Sequence, residues 1–184
     1  MYDLSKLISN FDIENKLKGY NINIVIYSQL TNYSNLKELL PEDHCACFIL
    51  VKTSESSGHW TVICRNGNNI YYCDSYGVKP DGELSHISAS MRYQLHENKK
   101  LLTEIINNSK GFKVSYNLTQ FQSYHADINT CGKWCVVFAL SVLKGKNIKQ
   151  FTSMMKKLTK SYELHHGKTE FVNDVVISLL YNEI

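Results

Sequence analysis

Residues 58–77, GHWTVICRNGNNIYYCDSYG, decide the fold. Two runs rich in β-branched and aromatic residues flank Asn66-Gly67, and that dipeptide between such runs is the strongest short-range hairpin signal. A two-residue turn at Asn66 and Gly67 sets Arg65 opposite Asn68 and, counting back, His59 opposite Asp74. Directly opposed side chains have Cβ atoms about 4.5–5.5 Å apart, within reach of a hydrogen bond from imidazole to carboxylate. A loop that took in Asn68 and Asn69 would slip the register by two residues and make the pair diagonal, on the same face and still close.

Outward from the hairpin, INIVIY (residues 22–27) and CACFILV (residues 45–51) read as strands, the second apolar enough to be central. Between them SNLKELLP reads as a short helix stopped by Pro41. Residues 83 to about 108 have a helical pattern, in one or two pieces, and GFKVSYNL reads as a further strand. The segment CGKWCVVFALSVLKG is apolar nearly all round from Trp134 to Leu143 and ends at Gly145, which predicts a buried central helix with a glycine stop. Ile148, Phe151, Met155 and Leu158 stripe the next helix. Phe171, Val172, Val175, Val176, Leu179 and Leu180 stripe the last, with His165-His166 and Gly167 in the loop between. The expected fold class is α+β: a mixed central sheet flanked by helices, residues 1–184 forming a single domain.

Composition fits that reading. The hydrophobic fraction of 43%, the charged fraction of 20% and only 2 prolines match a soluble globular chain rather than a disordered one. The N-terminal residues lack a basic start followed by a long apolar stretch, and nowhere do about 18 apolar residues run together, so neither secretion nor a membrane is expected. The 6 cysteines are then expected to be reduced thiols in an intracellular protein rather than a disulfide framework.

Histidine and aspartate side by side point to one kind of chemistry. A carboxylate that accepts from one imidazole nitrogen fixes the tautomer and leaves the other nitrogen free to take a proton from a nucleophile. Cys131 is the candidate nucleophile, because it opens the buried helix, where unpaired amides, the helix dipole and a neighbouring imidazolium all favour a thiolate. Gly132 lets the backbone pack closely there and present its amides. Acyl transfer also needs donors for an oxyanion; the Cys131 amide is one, and Gln122 or Gln120, just before the loop that leads into Cys131, offers a second.

These residues, Gly58-His59-Trp60, Asp74-Ser75-Tyr76-Gly77, Gln122 and Cys131-Gly132, in that order, closely resemble the adenain-like cysteine protease family, which is related to the proteases of ubiquitin-like modifiers. CDSYGVKPDGEL and INTCGKWCV look most like the versions encoded by virophages, Polinton-type elements and large DNA viruses. The resemblance implies a papain-like, adenain-like fold, with the nucleophile at the N-terminus of the buried central helix. It implies roles for Cys131 as nucleophile, His59 as base, Asp74 as the residue that orients His59, Gln122 as the oxyanion amide and Trp60 as a shield over the site, above a groove suited to small residues such as glycine. Gln122 lies nine residues before Cys131, a longer spacing than the family's usual one, so Gln120 stays open as the alternative.

By the same resemblance, the expected substrates are viral capsid and structural precursors, cleaved during virion maturation, in the particle or in the host cytoplasm or viral factory during assembly. A protease of ubiquitin-like modifiers, or an acyltransferase using the same triad, keeps the site and changes the substrate. An inactive binding module would need none of this polar chemistry. No cofactor is required by the sequence, although a DNA or peptide activator would suit the family. Lys144, Lys146, Lys149, Lys156, Lys157, Lys160 and Lys168 fall in one stretch with Glu163 the only acid; they form either a solvated helix face or a contact for DNA. Cys45, Cys47, Cys64, Cys73 and Cys135 are read as core packing, and no paired Cys-x-x-Cys or His-x₃-His arrangement builds a zinc site.

Overall fold

Five strands form one mixed sheet in chain order: β1 (Asn21–Ile26), β2 (Cys45–Lys52), β3 (Gly58–Asn66), β4 (Asn69–Asp74) and β5 (Lys113–Tyr116). The three central strands are antiparallel, and β1 and β5 are added at the edges parallel to β2 and β4. The computed structural model describes residues 3–184.

One face of the sheet, carrying Ala46, Phe48, Trp60, Val62, Cys64 and Cys73, packs against a helical layer of α1 (Asn10–Lys16), α5 (Cys131–Leu143), α6 (Ile148–His166) and α7 (Val172–Glu183). The other face, carrying Cys47, Ile49, Ile63, Ile70 and Tyr72, is covered by a 3₁₀ segment at Tyr27–Asn32, α2 (Leu36–Leu39) and α4 (Leu101–Asn107). β2 and β3 are thus buried on both faces, which is why their sequences run almost continuously apolar. The fold is α+β, a mixed sheet between helical layers.

Every residue of α5 is buried. It ends as the sequence predicts: Gly145 has φ of +90°, its amide bonds Val142 O at 2.8 Å and the Lys146 amide bonds Ser141 O at 2.9 Å, a Schellman stop. Asn147 and Gln150 then cap α6 reciprocally.

The structure differs from the sequence reading at four points. The hairpin turn is Gly67-Asn68, with Asn66 paired to Asn69, so Thr61 rather than His59 stands opposite Asp74. Gly67 alone has positive φ, 61°, as a type II′ turn requires of its first central residue. Tertiary bonds fix it there: Asp43 accepts from the Gly67 amide, and Arg65 donates to Gly67 O at 3.0 Å and Leu40 O at 2.9 Å. The helical stretch after Glu83 breaks into three pieces, a 3₁₀ turn at Gly82–His86, α3 (Ala89–Gln94) and α4. Buried Asp81 starts the last piece, accepting from the Leu102 and Thr103 amides and from Tyr27 Oη. α7 buries Asp174, Val176, Ile177, Ser178 and Tyr181 rather than its full valine and leucine stripe. His165 and His166 form the last turn of α6, and Gly167 follows with φ of +81°.

Candidate active site

The shifted register leaves His59 and Asp74 diagonal neighbours at one end of the hairpin, and they still meet. His59 is the second residue of β3, Asp74 the last of β4, and Nε2 of the imidazole lies 3.1 Å from Oδ2 of the carboxylate. Asp74 is fully buried and His59 nearly so. Local bonds hold the carboxylate: Oδ1 accepts from the Tyr76 amide at 2.7 Å. Asn117 clamps the Asp74 backbone from both sides, its Oδ1 accepting from the amide at 3.1 Å and its Nδ2 donating to the carbonyl at 2.9 Å.

Cys131, first residue of α5, is buried, and its thiol interacts with the His59 side chain. With Nε2 turned to Asp74, Nδ1 is the imidazole nitrogen left for the thiol. The electrostatics run in opposite directions on the two groups. Burial by itself would push the Cys131 thiol up, but hydrogen bonding and charge from His59, with backbone groups of Trp60 and Gly132, hold it below the ordinary thiol range. Burial would likewise lower His59, and its bonds to Asp74 and Cys131 instead raise it well above the usual imidazole value. The pair therefore favours thiolate and imidazolium together. The other five cysteines are free and buried, and Cys47, Cys64, Cys73 and Cys135 are driven up by burial, as inert core thiols are.

Gln122 is buried beside this pair, while Gln120 is exposed and donates to the Gln122 carbonyl at 3.0 Å. The Gln122 side chain is fixed on three sides. Its Oε1 accepts from Ser75 Oγ at 2.8 Å, and its Nε2 donates to Ile128 O at 3.0 Å and Tyr76 Oη at 3.1 Å. The Tyr76 ring stacks on His59 with centroids 5.0 Å apart and on Tyr124 at 4.4 Å.

Trp60 stands on the opposite face of β3 from His59. It is buried against Gly132, and its Nε1 donates to Ile8 O at 3.2 Å. The N-terminal segment crosses the start of α5 there. Leu4 O accepts from the Asn129 amide at 2.8 Å and Asp3 O from Lys133 Nζ at 2.9 Å. A groove of about 530 Å³, lined by Leu7, Phe11, Leu50, Gly58 and Trp60, adjoins the site on this side.

Two site-building carboxyls have no signature in the sequence pattern. Asp174 of α7 is fully buried and accepts from Thr130 Oγ1, from Trp134 Nε1 at 3.3 Å and from the Ser123 amide at 3.0 Å, tying both ends of the loop before Cys131 to α5 and α7. Its only sequence trace is an acid within an apolar helix stripe. Glu83, from the 3₁₀ turn, is buried with Asp74 and His59, and one ligand-capable atom of each lies within 4.8 Å of the others. Oδ2 of Asp74 is engaged once, by Nε2 of His59, and Oδ1 once, by the Tyr76 amide.

The seven lysines from 144 to 168 are all exposed, with no salt bridge to them among the described residues. No helix of the described residues is long and apolar enough to cross a membrane.

No protein-family model matches the chain. It is 31% identical over 158 residues to the "Uncharacterized protein V9" of Sputnik virophage, spanning 85% of this chain and 87% of that one. Among solved structures, two crystal structures of the ASFV pS273R protease align over 97% of this chain and 69% and 68% of theirs, at 15% and 14% identity and TM-scores of 0.48 and 0.46.

Proposed function

This chain belongs to the family of the virophage protein V9, and we propose that it is a cysteine endopeptidase that processes viral capsid and structural precursors during virion maturation. The observation that carries the reading is the buried sequence of contacts from Cys131 to His59 to Asp74, with thiol and imidazole shifted in opposite directions.

In this reading the Cys131 thiolate attacks the scissile carbonyl, and the oxyanion takes hydrogen bonds from the Cys131 amide and Gln122 Nε2. The bond from Gln122 to Ile128 O holds the amide plane, and the second Nε2 proton, now given to Tyr76 Oη, is the one the oxyanion takes over. Buried Gln122 is the better candidate than exposed Gln120. His59 gives its proton to the leaving amine, then activates the water that releases the acyl-enzyme. Asp74 keeps Nδ1 aimed at sulfur throughout. Trp60 and Gly58 border the groove that receives the substrate chain on one side. The exposed lysines would hold the enzyme on DNA inside the particle or the assembly site, where DNA or a peptide could act as activator.

Co-expression with the capsid precursor encoded alongside it, with Cys131→Ala as the control, tests the proposal. Cleavage by the native chain and none by the variant is the expected result. An intact precursor beside a cleaved ubiquitin-like substrate would replace the substrate assignment, and no cleavage of either would remove the protease reading.

A further inference from the structure

The triad accounts for Asp74 but not for the second carboxyl behind it. Glu83 is 8% exposed. It comes from the 3₁₀ turn after β4, an element the mechanism does not use. Its carboxyl lies with His59 and Asp74 inside one buried cluster, and its Oε1 has no hydrogen-bond partner among the described residues. Two carboxylates this close in a buried site do not both ionise readily, and a shared proton relieves the repulsion.

We propose that Glu83 is a positioning residue of this site: its carboxyl holds a proton against Asp74 and releases it as pH rises, so the negative charge behind His59 is set by both residues. The inference rests on the Cys131–His59 reading above. Asp74 can accept the extra bond, since each carboxylate oxygen has two lone pairs and each is so far engaged once. Burial, and Asp74 after it, hold Glu83 up to about 7, opposed by His59.

The groups facing Glu83 from its surroundings are His59 on β3, Tyr72 and Asp74 on β4, Tyr76 after β4, and Tyr124 in the loop before α5. Burial raises all three tyrosines, so they stay neutral through this range. On its own turn, Asp81 is committed to Tyr27 and the start of α4. Only His59 and Asp74 therefore answer to the Glu83 proton. Below its titration Glu83 donates to Asp74, and one negative charge stands behind the imidazole. Above it two do, the imidazolium is favoured further, and the thiolate–imidazolium form of the Cys131–His59 pair gains.

The test is the pH profile of Cys131 alkylation by iodoacetamide, with ¹⁵N NMR of the His59 ring, in the native chain, Glu83→Gln, Glu83→Leu and His59→Ala. The native chain should show a second rise of about three- to tenfold near neutral pH, matched by a second inflection in the His59 ring shift. Glu83→Gln keeps a donor to Asp74 but cannot titrate, so it should lose that step while staying reactive. Glu83→Leu, which removes the donor below the titration and the second charge above it, should slow alkylation about tenfold or more across the range. If His59→Ala alkylates as fast as the native chain, the underlying reading fails whatever Glu83 does. If His59→Ala is slow and the Glu83→Gln profile overlays the native one, or the native His59 ring shows no inflection near neutral pH, the role of Glu83 alone is overturned.

Discussion

Replacing Gly132 by alanine tests how tightly the N-terminal segment is built onto the site. A Cβ on Gly132 would clash with Ile8 Cγ1 and lie 2.6 Å from Ile8 Cδ1 and 3.1 Å from Trp60 Cδ1. Carbon atoms pack comfortably at about 3.5–4.0 Å, so Ile8 must retreat by more than about 1 Å. It is poorly placed to do so, since it is buried and its carbonyl holds the Trp60 indole. Overpacking of this kind costs about 1–3 kcal/mol. A clash this close with a pinned neighbour belongs in the upper part of that range, about 2–3 kcal/mol; alanine recovers up to about 1 kcal/mol of helix propensity, which leaves a net loss of about 1–2 kcal/mol. For a chain of this size that is a fall in Tm of about 2–8 °C. Urea unfolding and thermal melts of Gly132→Ala, Ile8→Ala and the double variant read it out. Ile8→Ala removes the atoms in the way, so the double variant should be no less stable than Ile8→Ala alone. Additivity within about 0.5 kcal/mol, or a Gly132→Ala chain as stable as the native one, would refute the argument.

Asp174→Ala leaves the Thr130 hydroxyl, the Trp134 indole and the Ser123 amide without their acceptor; it should cost about 3 kcal/mol in urea unfolding and slow Cys131 alkylation as the start of α5 loosens. Glu83 is raised from the ordinary 4.5 to about 7. The folded chain therefore keeps a proton that the unfolded chain releases, and stability falls as pH rises through that window. Glu83→Gln, neutral throughout, should remove about 2 kcal/mol of that decline, after allowing for residual hydration, when unfolding free energies at pH 5 and pH 8 are compared. If the exposed lysines contact DNA, affinity for a short duplex should drop steeply with added salt, and charge reversal at Lys149, Lys156 and Lys160 should flatten that dependence. No binding at low ionic strength would dismiss the contact.

The strands, the buried helix and its glycine stop were legible because each rests on a local signal: period-two alternation, an apolar run, a glycine just past the end of that run. His59 and Asp74 were legible for a related reason, since a slip of two residues keeps side chains on the same face and turns an opposed pair into a diagonal one. The slip itself was not legible. It depends on Asp43, which reaches the Gly67 amide from outside the hairpin, and on Arg65, which ties the Gly67 carbonyl to that of Leu40. Glu83 and Asp174 were hidden for the same physical reason: an isolated acid looks like a solvated one until the chain brings its partners from far along the sequence. Trp60 was readable as a residue next to the site, but its Ile8 partner is 52 positions away.

In the proposed mechanism everything downstream depends on His59 turning Cys131 into a thiolate. Iodoacetamide labelling of Cys131 at pH 6, followed by peptide mass mapping with Cys135 as the internal control, tests it most directly in the native chain and His59→Ala. An ordinary thiol is about 0.3% ionised at that pH. Rapid labelling of Cys131 alone is expected in the native chain, with a loss of at least about tenfold in the variant. Equal, slow labelling of Cys131 in both would contradict it.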